Sequence, residues 1–317
     1  MNGQLQTPIA LIVFNRPSQT ARVFARIAEV KPRRLLLIAD GPRPQRPGED
    51  LLCDEVRRIV TQIDWPCQLE TNFADRNMGC RNRVVSGLNW VFELVEEAII
   101  LEDDILPDLS FFQFCEEMLA RFRHDSRVST VRGFNVVPDN LPIDYSYFFS
   151  HVTHIWGWAT WRRSWSRYDQ HVKRRPEIKA SGVLREVFDQ QGEVDFWTRL
   201  FDEMHDGTGP DTWDHQWAYT NFIENSVSVV PRVNLIENIG WGPDATHTVN
   251  PTAKPDVKPH SLVFPLLHPP SLIPLRSVDR RDRELNGHVI PTTRQRIVRK
   301  WKRRLKKIER AWKRSDE

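Results

Sequence analysis

Three consecutive carboxylates, Glu102-Asp103-Asp104, close the short apolar run Ala98-Ile99-Ile100-Leu101. Like charges held side by side cost free energy unless a cation or a polar ligand sits among them. The run has the length of a buried strand, and an open α/β sheet places its ligand site at the C-terminal ends of its strands. Hard oxygen ligands of this kind suit Mg²⁺ or Mn²⁺ together with substrate phosphates. The plain alternative is a solvated loop or a helix start, where aspartate is a common cap.

Two other apolar runs end in polar groups. Pro8-Ile9-Ala10-Leu11-Ile12-Val13-Phe14 leads into Asn15-Arg16-Pro17-Ser18, and Leu35-Leu36-Leu37-Ile38-Ala39 ends at Asp40-Gly41-Pro42. A guanidinium fork such as that of Arg16 matches phosphate oxygens, although an arginine at a helix start also serves as an ordinary surface residue. Asp40 before Gly-Pro has the chemistry of a turn residue or of a ligand acceptor. Farther along, Asp211-Thr212-Trp213-Asp214-His215-Gln216-Trp217 puts Asp214 at the start of a helix predicted over about 214–223. An aspartate in a partly desolvated, tryptophan-flanked wall can take a proton from a hydroxyl within hydrogen-bond reach. Its competing role there is helix capping.

The elements that must position these groups follow from periodicity. Pro8–Phe14 and Leu35–Ala39 are continuous apolar runs of the kind that form buried parallel strands. Residues 49–63 predict a helix, and Cys67 to Phe73 alternates like a strand. Residues 79–95 form an amphipathic helix with Val84, Leu88, Val91 and Val95 on one face. Strand and helix alternate, so βαβ units and an α/β fold with a mostly parallel sheet flanked by helices are expected. After the triplet, Ile105–Asp108 reads as a turn into a helix beginning near Phe111. The second half carries the loop His154–Trp161, helices to about residue 205, the alternating stretch Ser226–Pro231, and Asn238-Ile239-Gly240. Residues 251–293 are Pro-rich and read as an extended wrap with little regular structure.

The bulk properties narrow the classes. The chain has 317 residues with 12 Trp and 22 Pro, enough for one large domain. No stretch approaches the roughly 20 apolar residues needed to span a bilayer. No secretory signal is evident, and Cys53, Cys67, Cys80 and Cys115 show neither CxxC pairing nor zinc spacing, which points to the cytoplasm. Charge is uneven. Residues 294–317 carry 12 Lys/Arg and 3 Asp/Glu, a net of +9, while the other 293 residues carry 33 and 39, a net of −6. Within that end Ile297, Trp301, Leu305, Ile308 and Trp312 form one stripe, the pattern of a basic amphipathic helix on an anionic membrane surface. A helix packed on the domain is its other outlet, and nucleic acid is not expected as a partner.

The motifs Phe14-Asn15-Arg16-Pro17, Ala39-Asp40-Gly41, Asn77-Met78-Gly79, Leu101-Glu102-Asp103-Asp104, Gly157-Trp158, Trp213-Asp214, Asn238-x-Gly240 and His247 occur in an order that resembles glycosyltransferases of the GT-A fold. The similarity is to bacterial family-2-like proteins that share features with N-acetylglucosaminyltransferase I, and it covers about residues 7–248. It implies a metal-dependent, inverting transfer of a sugar from a nucleotide-sugar donor, UDP-sugar favoured, to a glycan or lipid-linked acceptor, with Mn²⁺ or Mg²⁺ as cofactor. Arg16 then resembles a diphosphate or nucleotide contact, Asp40 the carboxylate on uracil or ribose, and Arg81 a lining residue of the nucleotide pocket. Asp104 resembles the metal ligand, with Glu102 and Asp103 on ribose and sugar hydroxyls. Asp214 is the expected base, with Asp211 in reserve. The chain has Asp214-His215-Gln216-Trp217 where the pattern has two adjacent acidic residues before a tryptophan. His247 resembles the late histidine that ligates the metal or a phosphate oxygen, and Trp158 with Trp156 would present ring faces to a sugar, the alternative being that one of the two packs in the core. The implied organisation is a nucleotide-sugar half over 1–125, an acceptor half of the same domain over 126–250, the Pro-rich segment 251–293 and the basic helix 294–317. Two other readings compete. A sugar nucleotidyltransferase would want a glycine-rich loop after the first strand, where this chain has none. A non-catalytic glycan-binding or membrane-adaptor protein would leave the carboxylates without a purpose.

Overall fold

The computed structural model describes residues 4–137, 141, 143–188, 190–242, 255 and 257–288. His247 and the basic stretch 294–317 lie outside the described residues. The first half alternates β1 (Ile9–Val13), α1 (Pro17–Val30), β2 (Arg34–Ala39), α2 (Glu49–Thr61), β3 (Gln68–Phe73), α3 (Cys80–Leu94) and β4 (Glu97–Glu102). Strand β1 lies between β2 and β4, parallel to both, with Val13 opposite Ala39 and Ile12 opposite Glu102. That register brings the C-terminal ends of all three strands to one edge. All five β1 residues are buried, as a strand covered on both faces requires.

The alternation along each strand sorts its side chains into two cores. Leu11, Val13, Leu35, Leu37, Ile99 and Leu101 pack under α1, α2 and α4 (Leu109–Phe122). Ala10, Ile12, Leu36, Ile38, Ala98 and Ile100 pack on the opposite face, against Val84, Leu88 and Val91 of α3 and against Trp158, Trp213 and Trp217. The result is a three-layer α/β sandwich around one eight-stranded sheet.

The second half completes that sheet. Strands β6 (Val128–Arg132), β7 (Tyr147–Ser150), β8 (Trp158–Trp161) and β9 (Val227–Pro231) extend it in the order β3-β2-β1-β4-β8-β6-β9-β7. Strand β8 is antiparallel to both β4 and β6, so the sheet is mixed though mostly parallel. Helices α5 (Arg162–Trp165), α6 (Arg175–Ser181), α7 (Leu184–Val187), α8 (Gln191–His205) and α9 (Asp214–Ile223) follow β8. Three expectations are corrected. Ile105–Pro107, expected as a turn, is strand β5, paired antiparallel with β10 (Ile236–Asn238) in a two-stranded ribbon. Trp158 belongs to β8 and not to a loop. Arg276–Leu285, inside the segment expected to be extended, is helix α10. Among the described residues no helix is long and apolar enough to cross a membrane.

Helix α10 escaped the periodicity because it docks by charge. Seven of its ten residues are charged, and it buries Val278, Asp279, Asp282 and Arg283. Asp282 accepts from the Arg132 guanidinium at 3.0 Å and from His154 Nε2 at 2.7 Å. Asp279 accepts from the Ser150 hydroxyl at 2.6 Å and from the His151 N–H at 3.0 Å. Arg283 donates to Glu193 at 2.8 Å. Removing one member of such a network strands its partner in the interior, a loss of about 3–5 kcal/mol. Asp282→Ala is therefore expected to lose about 3–5 kcal/mol in urea denaturation. Arg281→Ala, which breaks the solvent-facing Arg281–Glu284 pair, is expected to lose less than about 1 kcal/mol.

Candidate ligand site at the strand ends

Arg16 follows β1 directly and turns its guanidinium onto the residues that follow β4. One terminal nitrogen donates to Asp104 Oδ2 at 2.8 Å and the other to Asp103 Oδ1. The Phe14 N–H donates to Asp103 Oδ2 at 3.2 Å. Burial alone would lower the Arg16 pKa, but the two carboxylates outweigh it and hold it above its ordinary value. Asp103 is buried, and burial lifts its pKa even with Arg16 alongside.

Glu102 lacks such support. Its Oε1 is buried without a hydrogen-bond partner. Its pKa is pushed up to about 8, first by burial and then by Asp104 and Asp103, with Asp214 adding to the repulsion. Its ionised form is therefore disfavoured by burial and by the two neighbouring carboxylates.

A glycine covers the triplet from above. Ribbon strand β10 runs into Ile239, whose N–H donates to the Asp104 carbonyl at 2.8 Å, and then into Gly240. A Cβ on Gly240 would lie 2.0 Å from Asp104 Oδ2, so no other residue fits without displacing that carboxylate. Asn238 Oδ1 fixes the turn by accepting from the Gly240 N–H at 2.9 Å. Half-buried Trp241 comes next and meets Trp156 edge to face, with ring centroids 6.3 Å apart. These two rings are partly open, and Trp241 was not anticipated from the sequence. Its signal is its position directly after the Asn-x-Gly turn.

Asp40 ends β2 and is buried. It accepts from the Gly41 N–H at 2.9 Å, the Met78 N–H at 2.9 Å and the Asn77 side-chain amide at 3.0 Å. Burial raises its pKa against the pull of those donors. Asp40 thus anchors the loop that enters α3. Asn77 and Met78 then turn outward into a cavity of about 630 Å³, shared with Arg76, Asn82, Ser86 and Gln170. The triplet does not line it.

Asp214 begins α9 and accepts from the Thr212 hydroxyl. It occupies the first position of the helix, after Trp213 at the N-cap, and remains about one-third exposed. Asp211 is exposed and pairs with Arg81 at 3.5 Å. The Cys80 thiol at the head of α3 is pushed up to about 12, by burial first and then by Glu102, Asp211, Asp214 and Asp40. The fields of four carboxylates from separate segments meet there. Cys80 was not singled out from the sequence because a lone cysteine carries no spacing signal.

The tryptophans expected to wall the site lie beneath it. Trp158 is fully buried and stacks on Trp213 at 5.5 Å, with Trp217 at 5.7 Å. None of these three offers a face to a ligand; they form the floor on which α9 rests. Gly157 is also close-packed, but toward the protein. Its φ is +61° and a Cβ there would meet Ile236 of the ribbon at 2.4 Å. Neither protein-family models nor curated proteins give a match to this chain.

The Glu102 proton has a measurable consequence. The folded state binds it more tightly than the unfolded chain, so the carboxyl is no burden below its unfolded pKa of about 4.5 and costs stability as pH rises toward about 8. Glu102→Gln is expected to raise the melting temperature relative to wild type at about pH 8 and to leave it unchanged near pH 4, measured by calorimetry.

Proposed function

We propose that the protein is a metal-dependent, inverting glycosyltransferase on a GT-A-like sheet, using a nucleotide-diphosphate-sugar donor, UDP-sugar favoured, and a glycan or lipid-linked acceptor. One observation supports this above the others. Three adjacent strand ends gather Arg16, Asp40 and the acidic triplet at one edge, and Asp214 acts electrostatically on Glu102 from another segment. Clefts outside the carboxyl ends of strands are where α/β sheets take such ligands.

The donor set suits a shared divalent cation better than one held by protein alone. Among the described residues no three His, Cys, Asp or Glu side chains are grouped to enclose a metal. Asp104, beside the orphaned Glu102 Oε1, offers carboxylate oxygens that Mg²⁺ or Mn²⁺ would complete with phosphate oxygens and water. When bound, the cation neutralises the charge that develops on the departing nucleoside diphosphate.

The chain's own groups supply the rest. Arg16 offsets part of the charge of Asp103 and Asp104 and is the proposed contact of the diphosphate. Glu102, whose Oε1 has no partner within the protein, and Asp103, held by Arg16 and the Phe14 N–H, contact the ribose and sugar hydroxyls of the donor. Asp214 accepts the proton of the acceptor hydroxyl as its oxygen bonds to the anomeric carbon and the bond from that carbon to the diphosphate oxygen breaks. Attack opposite the leaving group inverts the anomeric centre, the geometry that inverting glycosidases reach with an opposed base.

Titration calorimetry is expected to give at least about tenfold tighter UDP binding with Mn²⁺ than with chelator. Equal affinities would remove the cation from the mechanism. Asp214→Asn is expected to keep that binding and to lose at least about 10²-fold in transfer, the loss typical of an absent general base. A fully active variant would place the base at Asp211 or elsewhere.

A further inference from the structure

We propose that the segment Val263–Ile273 is a membrane-docking face, which inserts aliphatic side chains into the surface of an anionic bilayer alongside the basic C-terminal stretch. This inference stands apart from the sugar chemistry above. Val263, Leu267 and Ile273 are 80%, 61% and 72% exposed. Three of the four most exposed large apolar side chains among the described residues thus fall within eleven positions of the chain. Scattered surface leucines are ordinary, but a run of them on one segment is not.

The segment is fixed in a way that keeps those side chains outward. Leu266 between them is buried. The Leu267 N–H donates to the Ser146 hydroxyl at 2.8 Å, and the Leu267 carbonyl accepts from the Ser146 N–H at 2.8 Å. The Leu262 N–H donates to the Ser110 hydroxyl at 3.0 Å. Pro274 bridges to Phe149 of edge strand β7, and the Leu275 N–H donates to the Phe149 carbonyl at 3.0 Å. Bonds into α4, into the residue preceding β7 and into β7 itself secure the backbone, Leu262, Phe264, Leu272 and Leu275 pack against the core, and Val263, Leu267 and Ile273 are left outward.

The charge pattern selects the partner. From His260 to Leu275 the sequence has no Asp, Glu, Lys or Arg; the carboxylates beside it are Asp108, which accepts from the Ser261 hydroxyl at 2.9 Å, and Glu117, 3.6 Å from His268 Nε2. The chain then passes through α10, which also packs on β7, and ends in the stretch of net charge +9. Uncharged aliphatics to insert and a cationic tail to attract are the two signals that together give stable interfacial binding, either alone being marginal.

Flotation of the full-length protein with phosphatidylglycerol–phosphatidylcholine vesicles tests this, with phosphatidylcholine vesicles for comparison. Wild type is expected to float with the anionic vesicles. Val263→Ser/Leu267→Ser/Ile273→Ser is expected to lose at least about tenfold in partition with its melting temperature unchanged, since the three side chains are solvent-facing. Leu51→Ser/Leu52→Ser, which removes exposed aliphatics from α2, is expected to float as wild type does. Equal flotation of the triple variant and wild type, or no flotation of wild type, overturns the proposal. So does a concentration-dependent dimer in vesicle-free solution that the triple substitution abolishes, because a second copy would then own the face. Self-association through these side chains on deletion of 294–317 would assign them to the chain's own tail and overturn it equally.

Discussion

Holding three adjacent carboxylates, two of them buried, beside a single guanidinium is the constraint around which this molecule is arranged. One cation cannot neutralise three anions, and the low dielectric of the interior magnifies whatever charge remains. The molecule resolves the conflict unequally: Arg16 takes Asp103 and Asp104, and Glu102 is left without an ion pair, its ionised form disfavoured. That division gives one strand end two chemical characters, an ion-paired edge and a carboxyl biased toward its neutral form. The sheet register serves it, because Arg16 can reach the triplet only if β1 and β4 are neighbours and run the same way.

Much of the first half was legible because β1, β2 and β4 are buried on both faces and the helices on one. Continuous runs such as Leu35–Ile38 and the stripe Val84, Leu88, Val91 are forced by burial, and burial is what sequence patterns report. The candidate residues at strand ends were legible for the same reason, since polar groups stand out against such runs. The tryptophans misled. Their chemistry suits both a sugar platform and a core, and local sequence does not say which side of a strand faces water when both sides are covered. Trp158 in β8 is such a case. Helix α10 was invisible because the apolar stripe that announces a helix is replaced by Asp279, Asp282 and Arg283, whose partners lie more than a hundred residues away in β6, in β7 and in the loop after it, or ninety away in α8. Charge complementarity across such separations leaves no local period.

Two modes of cohesion therefore coexist in one domain. The sheet and its flanking helices are held by non-directional apolar burial, which tolerates exchange of one aliphatic for another of similar volume. The return of the chain along β7 is held by directional bonds: a carboxylate in a socket of guanidinium and imidazole, and backbone pairs to serines. Such contacts specify one position strictly and lose their value quickly with displacement. They allow the segment before α10 to present aliphatic side chains outward while its backbone stays in place.

The contact of Gly240 on Asp104 carries a consequence for how the molecule comes into being. The groups at the ends of β1, β2 and β4 all belong to the first third of the chain, yet Asp104 is seated only when β10, from much later in the sequence, pairs with β5. During synthesis the amino-terminal portion would emerge bearing every one of those strand-end groups and still lack the lid that fixes one of them. Competence at this edge is thus deferred until most of the polypeptide has left the ribosome, and an isolated amino-terminal fragment would own the ingredients of the site without its geometry.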